Sequence, residues 1–257
     1  RRHVTPGDCR AARGAGAREV HAIIPYFSYA RSDKKDAPRI SIAARLIADL
    51  LQTSGATHVM TMTLHSPQVH GFFSIPTDPL TARGLFCRYY MERHLDPDEA
   101  VVVAPDMGRA KPAARFASLL GLPMAAADKR RISDHKVVIG DSIIRQIAGF
   151  REALVFDDEI STGSTVLEIS RILVENGIET ISLICTHGLF SGDAITRIAN
   201  FPQITEIVTT NTVPISEEKR LPYLHIISVA PVIGEAIWRN HNRQSIGDLF
   251  TFSEDHL

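Results

Sequence analysis

The sequence predicts an α/β protein in which parallel strands alternate with helices. Short apolar runs of strand length are each followed by a polar loop and then by apolar residues at helical spacing. The clearest copy begins with the run from Ala153 to Phe156, which is typical of a strand buried on both faces. A helical pattern follows from Val166 to Leu173, Asn176-Gly177 ends it, and Ile181 to Cys185 forms the next strand. This order describes a right-handed βαβ unit.

Two further parts of the chain repeat this organisation without repeating its sequence. In the first part, strands from Val20 to Ile24 and from Val59 to Thr63 flank a helical pattern that stops at Gly55. In the second, "AVVVAPDMGRAKPAARFASLLGLPMAAA" predicts a strand, a loop, a helix ending near Gly121 and another strand. We therefore predict two α/β domains with a boundary near Pro76 to Thr81. The tail "VAPVIGEAIWRNHN" predicts a helix that packs back on the body.

Composition permits an enzyme and excludes some other classes. The chain has 257 residues with 44% hydrophobic content, enough for a sizeable core. Its 28 basic and 29 acidic residues give a net charge of −1, which implies neither a nucleic-acid partner nor a membrane surface. No apolar run reaches the roughly 18 residues of a membrane span. Three widely spaced cysteines without CxxC or zinc spacing favour a reducing cytoplasm, so we expect a soluble cytoplasmic protein.

The string "FDDEISTGST" carries the most specific chemistry. It falls at the carboxyl end of a predicted parallel strand, where α/β sheets bind ligands, and at the start of a helix, where backbone N–H groups attract anions. Gly163 lets the backbone approach a phosphate, and the neighbouring hydroxyls donate to it. Asp157 and Asp158 are acceptors, so they suit the vicinal hydroxyls of a sugar, directly or through a metal. Together these groups indicate a ribose 5-phosphate; the alternative is an acidic helix cap followed by a polar turn.

Three more loops place charged residues at strand ends. "TLHSPQVHGFF" contains His65, "APDMGRAK" contains Asp106 and Lys111, and "DKRRISDHK" predicts a mobile basic loop with Lys129, Arg130 and Arg131. Each has an ordinary explanation when taken alone. A histidine at a strand end is commonly hydrogen-bonded, an aspartate commonly forms a turn, and a charge run is commonly solvated.

Taken in order, these strings resemble the ribose-phosphate pyrophosphokinase family, also called phosphoribosyl pyrophosphate synthetases. The resemblance runs from Gly14 to Phe250. The strings that carry it are "IIPYFSYARSDKKDAPRISI", "TMTLHSPQVHGFFSIPTDPLTA", "APDMGRAK", "ADKRR", "VFDDEISTGST", "THGLFSGDAI", "TNTVP" and "SVAPVIGEAI".

The resemblance implies an activity and an architecture. The family transfers the pyrophosphoryl group of ATP to the 1-hydroxyl of ribose 5-phosphate with Mg²⁺, and it forms homo-oligomers, usually hexamers built from dimers. Two phosphoribosyltransferase-type domains with parallel sheets flanked by helices are expected. The first would comprise residues 1–79 with the C-terminal helix 230–257, and would be incomplete; the second would comprise residues 80–229.

The resemblance also implies roles for the two loops of the second domain. "DDEISTGST" would bind ribose 5-phosphate, in agreement with the chemistry of its residues. Its members are Asp157, Asp158, Ser161, Thr162, Gly163, Ser164 and Thr165. "DMGRAK" matches the loop that receives pyrophosphate. Its members are Asp106, Met107, Gly108, Arg109, Ala110 and Lys111.

The remaining implied roles concern ATP. By resemblance, Arg31, Ser32 and His65 would bind ATP, and His65 and Asp106 would hold Mg²⁺ on its phosphates. Lys129 and Arg131 match the catalytic basic pair on a flexible loop that closes over the transferred group. Phosphoryl-type transfer needs alignment and neutralisation of charge more than a strong base, so these roles are chemically consistent.

The sequence departs from the family pattern at several positions. Ser32 stands where glutamine is usual, Arg109 stands where the pyrophosphate loop often has glycine, and "HSPQ" replaces the commoner "HASQ". The family's N-terminal adenine-binding loop, of the form "FxNxE" or "FxDGE", has no equivalent in "RRHVTPGDCRAARGAGAREV". The end of this stretch resembles the end of a family helix, although its arginine-rich, acid-poor composition is also compatible with a transit peptide.

Two other functions remain open on sequence alone. A phosphoribosyltransferase would share "DDEISTGST" but gives no reason for "DKRR" or "ARSDK". A non-catalytic, regulatory subunit of a synthetase would keep the fold and lose active-site groups. The presence of His65, Asp106, Lys129 and Arg131 argues against that subunit, whereas the missing N-terminal loop argues for it.

The first prediction concerns Lys129. If its charge acts on the transition state, Lys129→Ala should lower turnover about 100-fold or more while substrate affinities change less. Steady-state kinetics in both substrates measure this, and Arg130→Ala is the matched control because no role falls on Arg130. Normal turnover with only a raised Michaelis constant would instead make "DKRR" a docking patch.

Overall fold

The structure, a computed structural model, describes residues 5–35, 37–133, 136–139 and 142–249, with backbone alone at 129–133, 136–139 and 248. The described residues form two compact units. Unit 1 lies within Arg1–Thr81 and Val232–Thr251, and unit 2 lies within Ala82–Pro231. The stretch around the predicted boundary contains the strand Thr77–Leu80, which belongs to unit 1, and this segment of unit 1 ends at Thr81. The division into domains at residue 79 stays a prediction.

Unit 1 contains a three-stranded parallel sheet in the order β1-β2-β3. Its elements are α1 (Pro6–Gly14), β1 (His21–Ile24), α2 (Ala43–Thr53), β2 (His58–Met62) and β3 (Thr77–Leu80). Thr5 and Asp8 form a capping box at the start of α1, which fixes where this helix begins. The C-terminal helix, labelled α8 below, contributes Asn240, whose Nδ2 lies 3.3 Å from Nδ1 of His58. The predicted strand, helix, strand order of this region is confirmed.

Unit 2 contains a six-stranded parallel sheet and a separate antiparallel pair. Its first elements are α3 (Arg83–Met91), β4 (Ala100–Ala104), α4 (Ala110–Leu120), β5 (Met124–Ala126), β6 (Lys129–Ser133), β7 (Lys136–Ile139) and α5 (Ser142–Ile147). The later elements are β8 (Glu152–Ile160), α6 (Ser164–Glu175), β9 (Thr180–Gly188), α7 (Ala194–Ala199), β10 (Ile204–Thr210) and β11 (Leu224–Ile227). The C-terminal helix α8 (Ala230–His241) begins at the end of unit 2, and its residues from Val232 onward belong to unit 1. Both sheets are parallel and are accompanied by helices, so the predicted α/β class is confirmed.

The strand order of unit 2 reverses between β4 and β8. The order is β11-β10-β9-β8-β4-β5, so the chain first adds β5 on one side of β4 and later adds β9, β10 and β11 on the far side of β8. Connections leaving β4 and β8 therefore run in opposite directions along the sheet. In open α/β sheets this topological switch point leaves a crevice at the carboxyl ends of the two strands, where ligands bind.

Strand β8 is longer than the sequence predicted. The apolar run predicted a strand ending at Phe156, whereas the observed strand continues through Asp157 and Asp158 to Ile160. Its pairing with β4 stops at Val155, but its pairing with β9 continues to Ile160. The placement of the two acids in a loop was therefore wrong, because the ladder with β9 extends the strand past them.

Helices cover both faces of β8. Phe156 stacks on Phe116 of α4, with ring centroids 4.5 Å apart and an angle of 16° between the rings. Val155, on the other face, belongs to a buried apolar cluster with Ile143 of α5 and Ile169 of α6. Alternate side chains of a strand point to opposite faces, so this packing explains why the run reads as continuously apolar.

The basic segment around "DKRR" is not simply a loop. Residues Lys129–Ser133 form β6, which pairs antiparallel with β7, with an irregularity in register between Arg131 and Ser133. The prediction of a loop was therefore wrong, because the backbone of this segment pairs with β7 as a two-stranded antiparallel element. The side chains of Lys129 and Arg131 lie outside the described part of the structure.

Among the described residues, no helix combines the length and the apolar character needed to cross a membrane.

The stacked aromatic pair gives a prediction for stability. Phe116 is fully buried, so Phe116→Ala should lower the free energy of unfolding by about 3–5 kcal/mol through lost burial and a residual cavity. Denaturant unfolding measures this, with Ile144→Ala on the exposed side of α5 as the control. A cost for Phe116→Ala no larger than that of the control would show that α4 is not held to β8 by this pair.

Candidate functional site

The candidate site lies at the carboxyl ends of β4 and β8, which we call the β4–β8 crevice. It is bounded by residues 105–109 after β4 and residues 161–163 after β8. Asp106 organises the first of these loops, because its Oδ1 and its backbone carbonyl both accept from the N–H of Arg109 at 3.1 Å. The following short 3₁₀ turn, Met107–Arg109, leads directly into α4.

The acid pair of β8 is buried and faces a cation from the other loop. Asp157 accepts through Oδ1 from the backbone N–H of Asp158 at 2.8 Å. Asp158 lies 3.3 Å, measured from Oδ2, from Nη1 of Arg109, and the two side chains are only 5% and 13% exposed. This ion pair joins the predicted pyrophosphate loop, through Arg109, to the predicted ribose 5-phosphate segment, through Asp158 of β8. Arg109 makes this contact from a position where the family pattern often has glycine.

Burial controls the ionisation of Asp157. Loss of solvation raises the pKa of its carboxyl well above the usual range, and a shared hydrogen bond with Asp158 and the nearby charge of Asp158 raise it further. The backbone N–H of Asp158 and the guanidinium of Arg109 oppose this effect. Asp157 therefore retains a proton at a pH where an exposed aspartate has lost it. Burial likewise raises the pKa of the neighbouring Cys185 to about 12, so this cysteine remains a thiol.

The polar loop after β8 has the conformation expected of an anion site. Gly163 adopts a left-handed conformation, with φ of 74°, directly before the first residue of α6. The Oγ atoms of Ser161 and Ser191 lie 3.3 Å apart, as do Oγ1 of Thr162 and Oγ of Ser164. The first turn of the twelve-residue helix α6 therefore presents N–H groups and hydroxyls from one short stretch.

Sequence reasoning missed Arg197 as a member of this site. Its Nη1 donates to the carbonyl oxygen of Thr162 at 3.2 Å and to Oγ of Ser164 at 3.3 Å, which places a cation against the loop. The string "THGLFSGDAI" contributed to the family resemblance without any assigned role. The string begins within the last residues of β9 and ends two residues before Arg197. Its position could have indicated a role for this region, since β9 is adjacent to β8 and parallel strands end at the same edge.

The other residues predicted to bind substrates lie in unit 1 or at the end of the predicted pyrophosphate loop. Arg31 is exposed and His65 is half-buried three residues beyond β2. Ser32 is used by the fold: its Oγ accepts from the N–H of Ala43 at the start of α2 and donates to the carbonyl of Ser41. Lys111 lies in the first turn of α4 and is exposed. The predicted roles of these residues stay predictions.

The described side chains suit a magnesium ion that is held partly by substrate phosphates better than a metal ion that is held by side chains alone. Within the part of the chain that the structure describes, no group of three or more histidine, cysteine or acidic side chains is arranged to hold a metal. Mg²⁺ usually binds one or two carboxylates together with substrate phosphates and water. A single carboxylate such as Asp106, at the mouth of a phosphate-binding loop, fits that pattern.

Unit 1 contains a separate cavity of about 950 Å³. It is lined by residues of β1, β2 and α8, among them His21, His58 and Asn240. None of the residues predicted for substrate binding lines this cavity.

Comparisons with known proteins give consistent results. Residues 9–55 match the N-terminal domain of ribose phosphate pyrophosphokinase, and residues 138–251 match the phosphoribosyl synthetase-associated domain. A Streptomyces coelicolor relative is 51% identical over 242 residues, and the ribose-phosphate pyrophosphokinase of Deinococcus radiodurans is 44% identical over 248 residues. Each alignment covers 94% of this chain and 75% of the relative.

A solved structure agrees with these matches. The phosphoribosylpyrophosphate synthetase of Mycobacterium smegmatis superposes with a TM-score of 0.83 at 37% identity, covering 93% of this chain and 76% of the other.

The buried acid pair predicts an unusual dependence of stability on pH. Because folding raises the pKa of Asp157 above its ordinary value of 3.8, the folded chain binds a proton that the unfolded chain releases, and this costs stability as pH rises through that window. Asp157→Asn removes the cost and keeps the acceptor for the N–H of Asp158. The variant should therefore gain stability relative to wild type as pH increases.

Denaturant unfolding at several pH values between 4 and 8 measures this difference for Asp157→Asn, with exposed Asp98→Asn as the control. A difference from wild type that stays constant across this range would show that Asp157 titrates normally in the folded chain.

Proposed function

The chain belongs to the ribose-phosphate pyrophosphokinase family, and we propose that it uses the β4–β8 crevice to transfer the pyrophosphoryl group of ATP to ribose 5-phosphate. The products are phosphoribosyl pyrophosphate and AMP. The observation that carries the proposal is the joining of two loops at one switch point, an anion-binding helix start beside a buried acid pair. A helix start suited to an anion and a set of acceptors, separated by one short loop, match the two ends of a sugar phosphate.

Ribose 5-phosphate would bind along the carboxyl end of β8. Its phosphate would accept hydrogen bonds from the start of α6 and from the hydroxyls of Ser161, Thr162, Ser164 and Thr165. Arg197, already in contact with this loop, adds positive charge on its far side. The sugar hydroxyls would donate to the acid pair Asp157 and Asp158, which fixes the orientation of the ring.

The pyrophosphoryl group would pass over the loop after β4. The 1-hydroxyl oxygen forms a bond to the β-phosphorus of ATP and gives up its proton to solvent. The bond from that phosphorus to the oxygen that it shares with the α-phosphorus breaks, and AMP leaves with that oxygen. Backbone N–H groups of the loop Met107–Lys111, other than the N–H of Arg109, would hold the transferred group, and Lys129 and Arg131 would neutralise its growing charge. Arg31, Ser32 and His65 would bind ATP. When bound, Mg²⁺ held by His65 and Asp106 would neutralise and align the ATP phosphates.

The family also suggests the setting in which the chain works. We infer a homo-oligomer, a hexamer assembled from dimers, in the cytoplasm, with ATP and ribose 5-phosphate as small-molecule partners. No nucleic-acid or membrane partner is proposed, consistent with a net charge of −1.

Two alternatives use the same crevice. A phosphoribosyltransferase would bind the same sugar phosphate but would exchange pyrophosphate with a nucleobase. A non-catalytic synthetase subunit would bind ligands without making product. The presence of Lys129 and Arg131 in the sequence of β6 and the match over both family regions favour the synthetase.

The deciding assay supplies the purified chain with ATP, ribose 5-phosphate and Mg²⁺. We expect AMP and phosphoribosyl pyrophosphate in equal amounts, and we expect neither product when ribose replaces ribose 5-phosphate, because the phosphate provides the anchoring interactions. Pyrophosphate-dependent exchange with nucleobases and no AMP would identify a phosphoribosyltransferase. Binding of both substrates without either reaction would identify the non-catalytic subunit.

A further inference from the structure

We propose that Arg109 is a positioning residue for ribose 5-phosphate, acting through the ion pair that it forms with Asp158 across the β4–β8 crevice. The proposal rests on the proposed function, since it concerns how that same site holds its sugar. The loop containing Arg109 was assigned to pyrophosphate through its backbone. The side chain of Arg109 is here assigned to the sugar half of the site.

The backbone of Arg109 is fixed before its side chain begins. Its N–H donates to two oxygens of Asp106, the side-chain Oδ1 and the main-chain carbonyl oxygen, each at 3.1 Å. Arg109 is also the residue that precedes α4, so its position is tied to the start of that helix. The guanidinium therefore reaches Asp158 from a fixed backbone position.

The environment of Asp158 explains why a cation is needed. Asp158 is only 5% exposed, lies in a central strand, and adjoins the equally buried Asp157. A carboxylate at such a place needs a compensating positive charge, even when its neighbour keeps a proton. Arg109, itself 13% exposed, lies 3.3 Å away from one oxygen and supplies that charge from the neighbouring loop.

The ion pair is compatible with a bound sugar. A carboxylate accepts through about four lone-pair positions, so a single guanidinium contact does not use up its capacity. Fixing one oxygen orients the carboxylate and keeps it an acceptor for a sugar hydroxyl. Arg109 also connects the residues that would hold the sugar to the loop that would hold the transferred group, so displacing its side chain should disturb sugar binding first.

The position of Arg109 in the family pattern makes this inference specific to the chain. The matching loop in the family often has glycine, which has no side chain to reach Asp158. The arginine is therefore an added interaction, and its removal should leave the backbone of the phosphate-binding loop in place. If only the side chain of Arg109 matters, its removal should lower the affinity for ribose 5-phosphate and change the affinity for ATP little. Damage to the backbone of the loop should lower both affinities.

Calorimetric titration with ribose 5-phosphate tests the proposal on the full chain. Arg109→Met, which keeps length and removes charge, should weaken binding about 10-fold or more, the range for a lost hydrogen bond to a charged group. Arg109→Lys should retain affinity to within about 3-fold because the charge persists. Arg115→Met, an exposed arginine of α4, is the control and should bind like wild type.

A double-mutant cycle distinguishes positioning from a general structural effect. If Arg109 acts through Asp158, Arg109→Met should cost little further affinity when Asp158 is already asparagine. Steady-state kinetics should show a raised KM for ribose 5-phosphate with the KM for ATP changed less. Arg109→Gln is the second variant if Arg109→Met loses its thermal transition, and it should also weaken sugar binding about 10-fold.

Affinity within twofold of wild type for the folded Arg109→Met or Arg109→Gln variant would overturn the proposal, as would additive losses in the cycle with Asp158→Asn. Absence of ribose 5-phosphate binding by wild type would instead overturn the proposed function itself.

Discussion

The burial of two adjacent carboxyl groups in the central strand β8 is the constraint on which the rest of the site depends. A buried acid needs a hydrogen bond, a nearby cation or a proton to offset its lost solvation. This chain uses all three. The N–H of Asp158 donates to Asp157, Arg109 pairs with Asp158, and the raised pKa of Asp157 lets this carboxyl keep its proton. Meeting this need joins the loop after β4 to β8 across the crevice that the reversal of strand order leaves at their carboxyl ends.

The offset between neighbouring strands gives the crevice its two chemical ends. Strand β8 runs on to Ile160 beside β9 after its pairing with β4 has stopped at Val155, so its acids lie at an edge that β4 does not cover. Helix α6 then begins at Ser164 with its N–H groups beside Arg197. Acceptors for hydroxyls and donors for a phosphate are thus separated by one short loop.

The sequence was sufficient for features that depend on local patterns. Apolar spacing predicted the βαβ units, and the chemistry of 161–165 indicated a phosphate before any family was considered. The sequence could not predict where β8 ends, because two adjacent aspartates are typical of a loop. Only the pairing with β9 extends the strand through them. The contacts of Arg109 and Arg197 also escaped prediction, since each joins segments far apart in the chain.

Ser32 shows a second limit of a sequence pattern, because the hydroxyl of this residue, which the resemblance assigns to ATP, hydrogen-bonds at the start of α2. Local hydrogen bonding of this kind is set by backbone geometry that a sequence pattern does not contain. Its predicted contact with ATP therefore depends on atoms other than the hydroxyl or on a change in that turn.

Hydrogen–deuterium exchange with and without ribose 5-phosphate tests the central claim most directly, that the β4–β8 crevice binds the sugar phosphate. Bound ligand should slow exchange at the first turn of α6, because its N–H groups become protected. Exchange in α2 of unit 1 should stay unchanged. Protection confined to unit 1, with residues 156–165 unaffected at saturating ligand, would contradict the account.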